Sequence, residues 1–379
     1  MMKVFGVFAR AGAPKMPYWA QVTVIPLLNI FVALALAGCV VLLLGENPFK
    51  AMAVMLQGAF VYPGGLGFTL YYTTNLIFTG LCVAMAFHAM QFNIGGEGQA
   101  IIGGLGVALF LLFVGDSLPL IICLPLAVLA AAAAGGAWAF IPGYLYAKRG
   151  SHIVITTIMF NFIAAAVLQY LLVNVLIAPG QMSPQSVKFA ERTHLPQIHE
   201  LLALVGIETE STPLNISLFL ALAAAVGFWF LIWRTSWGYA LRTVGQSERA
   251  AVYAGIDPAR MTVQAMAISG ALAGMVGVNA LMGDAHRILL GFATGYGFAG
   301  IGVALMGRNH PLGIVLAAAL FGILTQGGSE LNFEFRNITR DLVIVIQGLI
   351  ILMVGALSLM LDPPVARLIA LVSRRKEET

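Results

Sequence analysis

The sequence predicts an all-α polytopic membrane protein of about ten transmembrane helices, and three observations lead there. Hydrophobic residues make up 60% of the 379 and charged residues 9%, with a mean hydropathy of +0.93. That leaves too little polar surface to clothe a water-soluble globule. The apolar residues gather into runs of about 20, each enough to cross a hydrocarbon core of roughly 30 Å. The basic residues, finally, sit in short segments between those runs and form no stripe. Residues 1–379 therefore read as one membrane domain, embedded in a lipid bilayer.

The runs fall at 22–44, 67–90, 94–114, 118–141, 153–176, 214–233, 263–282, 296–307, 311–327 and 341–361. The first follows Lys3, Arg10 and Lys15. It is too long for the core of a signal peptide and has no small-residue cleavage site after it, so it reads as a retained helix. The eighth is short for a crossing. Ten crossings put both ends of the chain on one side, and lysines and arginines flanking short loops mark the cytoplasmic side. The tails 1–21 and 362–379, the latter with Arg367, Arg374, Arg375 and Lys376, are expected there. So are Lys148 and Arg149, and the loop 234–262 with Arg234, Arg242, Arg249 and Arg260. The long loop 178–213 carries Lys188 and Arg192 against Glu191, Glu200, Glu208 and Glu210, and is expected outside as an ordered or partly helical cap.

A net charge of +4 without a basic stripe gives no footprint for nucleic acid. Cys39, Cys82 and Cys123 lie in apolar runs without metal-ligand spacing and read as small buried apolar residues. No phosphate-cradling Gly-x-x-x-x-Gly-Lys-Ser/Thr loop occurs, nor a His-Glu-x-x-His or Gly-x-Ser-x-Gly motif. The chain is therefore expected to be no enzyme and to need no cofactor, with any ATP hydrolysis in a partner.

Two segments break the smooth apolar pattern. Asn93-Ile-Gly-Gly-Glu-Gly-Gln99, followed by Gly103, Gly104 and Gly106, opens the third run. Gly283 to Gly302, with Asp284, His286 and Arg287, precedes the eighth. Glycine-interrupted segments in two halves of a transporter mark broken helices and a substrate path. Both lead to Gly-Val-Ala-Leu, at 106–109 and 302–305, which leaves an internal repeat open. Glu97 needs an explanation, because a carboxylate within a crossing costs several kcal/mol unless paired, hydrated or interfacial. One reading puts Asn93, Glu97 and Gln99 on the path as hydrogen-bonding groups for substrate; the other has Glu97 pinning helix ends near the inner face, with glycine packing explaining the rest. Asn75 is equally a path residue or a helix–helix hydrogen bond. His88 and His152 read as satisfied hydrogen-bonding partners. Asp284, His286 and Arg287 make either an outer gate or an ordinary interfacial cluster.

The segment Phe92-Asn-Ile-Gly-Gly-Glu-Gly-Gln99 resembles the signature of permease subunits of binding-protein-dependent ABC importers. Within the ribose and branched-chain amino acid permease group it is closest to the nucleoside and simple-sugar branch. Three further stretches carry the resemblance in order: 150–159, 238–256 and 295–313. It implies a multi-pass protein of the bacterial inner membrane, working with an ABC ATPase subunit, a second permease of similar fold and an extracytoplasmic substrate-binding protein. The stretch 238–256 also has helical spacing, with Ala240, Leu241, Val244, Ala251 and Val252 on an apolar face and Gly255 as a stop. By resemblance it is the coupling helix that docks into the ATPase, with Gly245, Glu248, Ala251, Gly255 and Ile256 as contacts; by itself it is also consistent with a plain connecting helix. The rival to an ATP-driven importer is an ion-coupled secondary transporter with inverted repeats, which wants several buried acids where this chain offers mainly Glu97. The Asn-Ile-Gly-Gly-Glu-Gly-Gln form points toward nucleosides, with simple sugars close behind.

Overall fold

The computed structural model describes residues 32, 35, 36, 38–335, 343–346, 348 and 349. The expectations for the tails 1–21 and 362–379, and for most of the runs 22–44 and 341–361, lie outside those residues. The chain groups into two compact units, Met1–Ala53 with Leu331–Thr379, and Val54–Glu330. In the first, Lys50 pairs with Glu334 at 3.1 Å. Every candidate site residue belongs to the second.

The helices are α1 (Pro48–Phe60), α2 (Gly65–His88), α3 (Gly96–Phe113), α4 (Leu120–Arg149), α5 (Ile153–Asn174), α6 (Ile198–Leu204), α7 (Ser217–Arg234), α8 (Ser236–Gln246), α9 (Glu248–Tyr253), α10 (Pro258–Gly274), α11 (Tyr296–Met306) and α12 (Pro311–Glu334). Among the described residues seven spans are long and apolar enough to cross a membrane: α2, α3, α4, α5, α7, α12, and α10 taken together with the π-helical segment Val278–Ala285 that follows it. They coincide with predicted runs, and α11, at 11 residues, is the short eighth. Helix α1 answers to no predicted run, because its apolar stretch is brief and holds Lys50 and Gln57. Asn47 starts it by accepting from the Phe49 and Lys50 amides at 2.9 and 3.3 Å.

Two boundaries move from their expected places for local reasons. Helix α4 runs past 141 to Arg149, and ends where Gly150 takes φ +69°; Lys148 and Arg149 suit its negative C-terminal end. Helix α10 starts at Pro258, because Asp257 accepts from the Ala259 and Arg260 amides at 2.9 and 3.3 Å and proline fits a first helical turn.

Burial sorts the spans. The α2 window is 83% buried and the α10 window 78%, against 28% for each of α4, α5 and α7. The first two are core helices; the others turn Ile155, Phe162, Phe219 and Val226 outward. A seam of small residues holds α3, α4 and α10 together. A Cβ on Gly103 would strike Gly274 Cα, one on Gly277 would strike Gly104 Cα, and Gly135 and Gly270 each face the other's carbonyl oxygen. Backbone contact of this kind is how helices gain dispersion energy in lipid, where no hydrophobic drive exists between them.

The connections of the described helices separate onto two faces. At one face Ala86, Ile153 and Met266 pack with Tyr146 and Val154, which puts the ends of α2 and α4 and the starts of α5 and α10 together. At the other, Gly115 meets Thr193, Gln185 bridges to Leu289, and Gln197 donates to the Gly283 carbonyl at 3.3 Å. The 178–213 loop carries the short helix α6 with a capping box between Gln197 and Glu200.

Candidate functional site: two buried polar clusters and an exposed elbow

Glu97 stands in the first turn of α3, and its side chain is 8% exposed. Its Oε1 accepts from the Gly295 amide at 2.6 Å and its Oε2 from the Gly297 amide at 2.8 Å. These amides open α11, so the carboxylate caps a helix 198 residues away. Free N–H groups and the helix dipole both favour an anion at that end. The approach needs glycine: Gly295 has φ +87°, and a Cβ on Gly297 would strike the Glu97 amide nitrogen.

This contact also fixes depth. A Cβ on Gly96 would lie 3.7 Å from Cys82 Sγ, and Cys82 precedes the end of α2 at His88 by about 9 Å of helix. The start of α3 thus sits beside the body of α2 and not at its end, because the chain turns at Ala89–Gln91 and runs back along α2 before α3 begins.

Asn93 and Gln99 face each other. Asn93 Nδ2 donates to Gln99 Oε1 at 2.9 Å and to Ser269 Oγ at 2.8 Å, and Gln99 Nε2 donates to Asn93 Oδ1 at 3.1 Å. The Gly95 amide donates to Asn93 Oδ1 at 2.9 Å, and Ser269 Oγ donates to the Cys82 carbonyl at 2.6 Å. Asn161 of α5 accepts from the Gly98 amide and donates to the Ile94 carbonyl, both at 2.9 Å. The cluster is closed on itself and buried, as polar groups in lipid must be.

A second cluster joins α2, the start of α7 and the π-helical segment. Asn279 Nδ2 donates to Asn75 Oδ1 at 2.9 Å, while Asn279 Oδ1 accepts from Asn215 at 2.9 Å and from Ser217 Oγ at 2.7 Å. Asn75 is fully buried, and its Nδ2 has no partner. Asn161, Ser269, Asn215, Ser217 and Asn279 belong to no motif in the sequence; the one signal each carries is its place as a lone polar residue in or beside an apolar run.

The stretch 238–256 is two helices and not one. Thr235 caps α8 by accepting from the Gly238 amide at 3.0 Å, and Ser247, extended at φ −161°, caps α9 by accepting from the Ala250 amide at 3.3 Å. This elbow lies against the end of α2, where a Cβ on Gly245 would strike the His88 carbonyl oxygen. Leu241, Val244 and Ala251 are buried, Ile256 is half-buried, and Glu248 and Gly255 are exposed, the latter at φ +76°. Val252, expected on the buried face, is 61% exposed and Tyr253 93% exposed, because the break at Ser247 rotates α9 relative to α8.

His88 is satisfied by the Asn309 carbonyl at 3.3 Å and an edge contact to Trp233. Asp284, His286 and Arg287 each take a different contact partner: Tyr71 donates to Asp284 at 3.0 Å, His286 stacks on His194 at 3.7 Å, and Arg287 donates to Gln185 at 3.2 Å. Burial, and then His194, push the His286 imidazole below its usual range. Cys39, expected to be buried, is exposed, while Cys82 and Cys123 are buried.

The profile of the family described as the permease component of branched-chain amino acid transport systems matches residues 65–355. The chain belongs to this family. It is 35% identical to a guanosine ABC transporter permease protein of Bacillus subtilis, over 88% of this chain and 92% of that one. It is 34% identical to a glucose ABC transporter permease protein of Haloferax volcanii, over 86% and 85%. It is 31% identical to a nucleoside ABC transporter permease protein of Lactococcus lactis, over 87% and 90%. No solved structure matches the chain.

Proposed function

We propose that this chain forms one half of the membrane path of an ABC importer for a nucleoside, with simple sugars as the second substrate class. A similar permease supplies the other half, an extracytoplasmic binding protein delivers the solute, and a separate ATPase docks on the elbow. The observation that carries the reading is the elbow itself. In a chain of this family, α8 and α9 hang at one face with Glu248, Val252, Tyr253 and Gly255 exposed, and an exposed valine and tyrosine suit a protein partner. That face is the cytoplasmic one by charge: Lys148, Arg149, Arg234, Arg242, Arg249, Arg260 and Arg308 lie there, against Lys188, Arg192 and Arg287 opposite. The relatives named for guanosine, nucleosides and glucose support the substrate classes. The ion-coupled rival loses its coupling carboxylate, since both oxygens of Glu97 are engaged by backbone amides.

The test is uptake of labelled guanosine and glucose into proteoliposomes carrying the whole complex, with Glu248→Lys and Tyr253→Asp in the elbow. These side chains are exposed, so the variants should fold, lose the ATPase on purification and lose uptake at least tenfold. Uptake that survives both changes and stops with a proton or sodium uncoupler would sink the importer reading.

A further inference from the structure

The turn that precedes α11 presents exposed, non-helical backbone beside the middle of α2. Helices α2 and α11 run parallel. A Cβ on Gly300 would press on Thr79, one on Gly80 on Val303, and His88 reaches the Asn309 carbonyl. Thr79 is about 13 Å from the end of α2, and Gly295 lies about 7 Å above Gly300, at the helical rise per residue. Gly295 is therefore about 20 Å from the elbow face, and the rest of α2, back to Gly65, continues beyond it.

The segment Gly291–Gly295 at this level is a turn, closed by the Thr294 amide donating to the Gly291 carbonyl at 3.1 Å. Ala293 is buried and Phe292 is seated against Gly104, but Gly291, Thr294 and Gly295 are exposed. Phe298, one turn further on, is 49% exposed. Backbone outside a helix is not tolerated against lipid; it is buried in protein or lines a water-filled cavity.

We infer that Gly291–Phe298, and not the Asn93–Gln99 cluster, lines the solute path, and that it takes a neutral solute with hydroxyls and a flat or ring-shaped face. Resting on the importer reading, this narrows its substrate side. Thr294 offers a hydroxyl and Phe298 an aromatic face to a base or sugar ring. The charge pattern rejects anions. Residues 288–307 contain no charged side chain, and the one anion-binding feature, the start of α11, is already filled by Glu97. The nearest cation in the chain, Arg287, precedes this stretch and donates to Gln185 at 3.2 Å, so a solute bearing a carboxylate or phosphate finds no cation within residues 288–307.

The test uses the whole complex in membrane vesicles with Cys39→Ser as background, since Cys82 and Cys123 are buried. Thr294→Cys and Phe298→Cys are treated with a charged, water-soluble thiol reagent beside Val226→Cys, which faces outward from the middle of α7. Thiolates form and react in water, so both path variants should react at least tenfold faster than Val226→Cys. Guanosine or glucose should slow them at least threefold, and guanosine monophosphate should not. Two variants as inert as Val226→Cys, in a complex that still transports, would overturn the path assignment while leaving the importer reading intact. Protection by the monophosphate equal to that by guanosine would overturn the neutral-solute assignment.

Discussion

The two glycine-rich segments, Asn93–Gly104 and Gly283–Gly302, look alike in sequence and deliver helix starts to the same place, with Gly96 and Gly297 in van der Waals contact. They differ in what surrounds them. In the first, Asn93, Gln99 and the Gly95 and Gly98 amides all have protein partners. In the second, the Gly295 and Gly297 amides are taken by Glu97 while Thr294 and the turn around it stay open. Glycine records that two backbones come close. Whether a segment also faces a passage depends on partners far away in the chain.

The sharpest way to break that contrast is Glu97→Ala against Thr294→Ala. Removing the carboxylate strands the buried Gly297 amide and frees the part-buried Gly295 amide; at about 1–3 kcal/mol for the buried donor and less for the other, a loss on the order of 3 kcal/mol should appear as a large drop in the thermal midpoint of the detergent-solubilised protein. Thr294→Ala should stay within about 0.5 kcal/mol, as exposed positions do, while lowering uptake. Equal midpoints for the two variants would remove the distinction.

Next comes Gly297→Ala, whose methyl has nowhere to go against the Glu97 backbone; overpacking of this kind costs about 1–3 kcal/mol. Gly227→Ala, in open space on α7, should instead be neutral or stabilising by up to about 1 kcal/mol. A smaller loss, about 2 kcal/mol, is expected for Asn161→Ala, which leaves the Gly98 amide and the Ile94 carbonyl unpartnered. Midpoints measured side by side in one detergent rank these variants, and a milder Gly297→Ala than Gly227→Ala would refute the close approach.

The smallest effect concerns pH at the outer loop. His286 has a depressed folded-state pKa, from burial and then from His194, with Asp284 favouring its charged form and Lys188 opposing it. The unfolded chain therefore binds the proton more readily, and stability falls as pH drops below the ordinary histidine range toward the folded value. Between pH 7.5 and 5 the midpoint should decline, and His286→Gln should flatten that decline; an unchanged slope in His286→Gln would exclude this imidazole as its source.

Much of the fold is legible in the sequence because a membrane crossing is a bulk property. Twenty apolar residues announce α5 or α7 whatever their neighbours, and alternation of faces follows from counting. The site is less legible because its contacts join residues hundreds apart. Nothing near Glu97 says that its partners are the Gly295 and Gly297 amides. The elbow is an intermediate case. Its apolar spacing is visible, yet Ser247 followed by Glu248 was also readable as a helix start, and that break is what exposes Val252 and Tyr253. Helix α1 escaped because a short apolar stretch with a lysine gives no crossing signal.

The glycine seam between α3, α4 and α10 has a mechanical side. Side chains between helices act as compliant spacers, changing rotamer when one helix shifts against another; at Gly103 with Gly274 and at Gly135 with Gly270 no spacer exists. Helix α10 begins directly after the elbow, at Asp257 and Pro258. A displacement of the elbow therefore enters a joint with little slack and moves α3 and α4 with it. Because α3 carries Glu97, the start of α11 is tied to the same stiff plate, so under the proposed coupling role a push at the elbow would be felt some 20 Å away at the turn before α11.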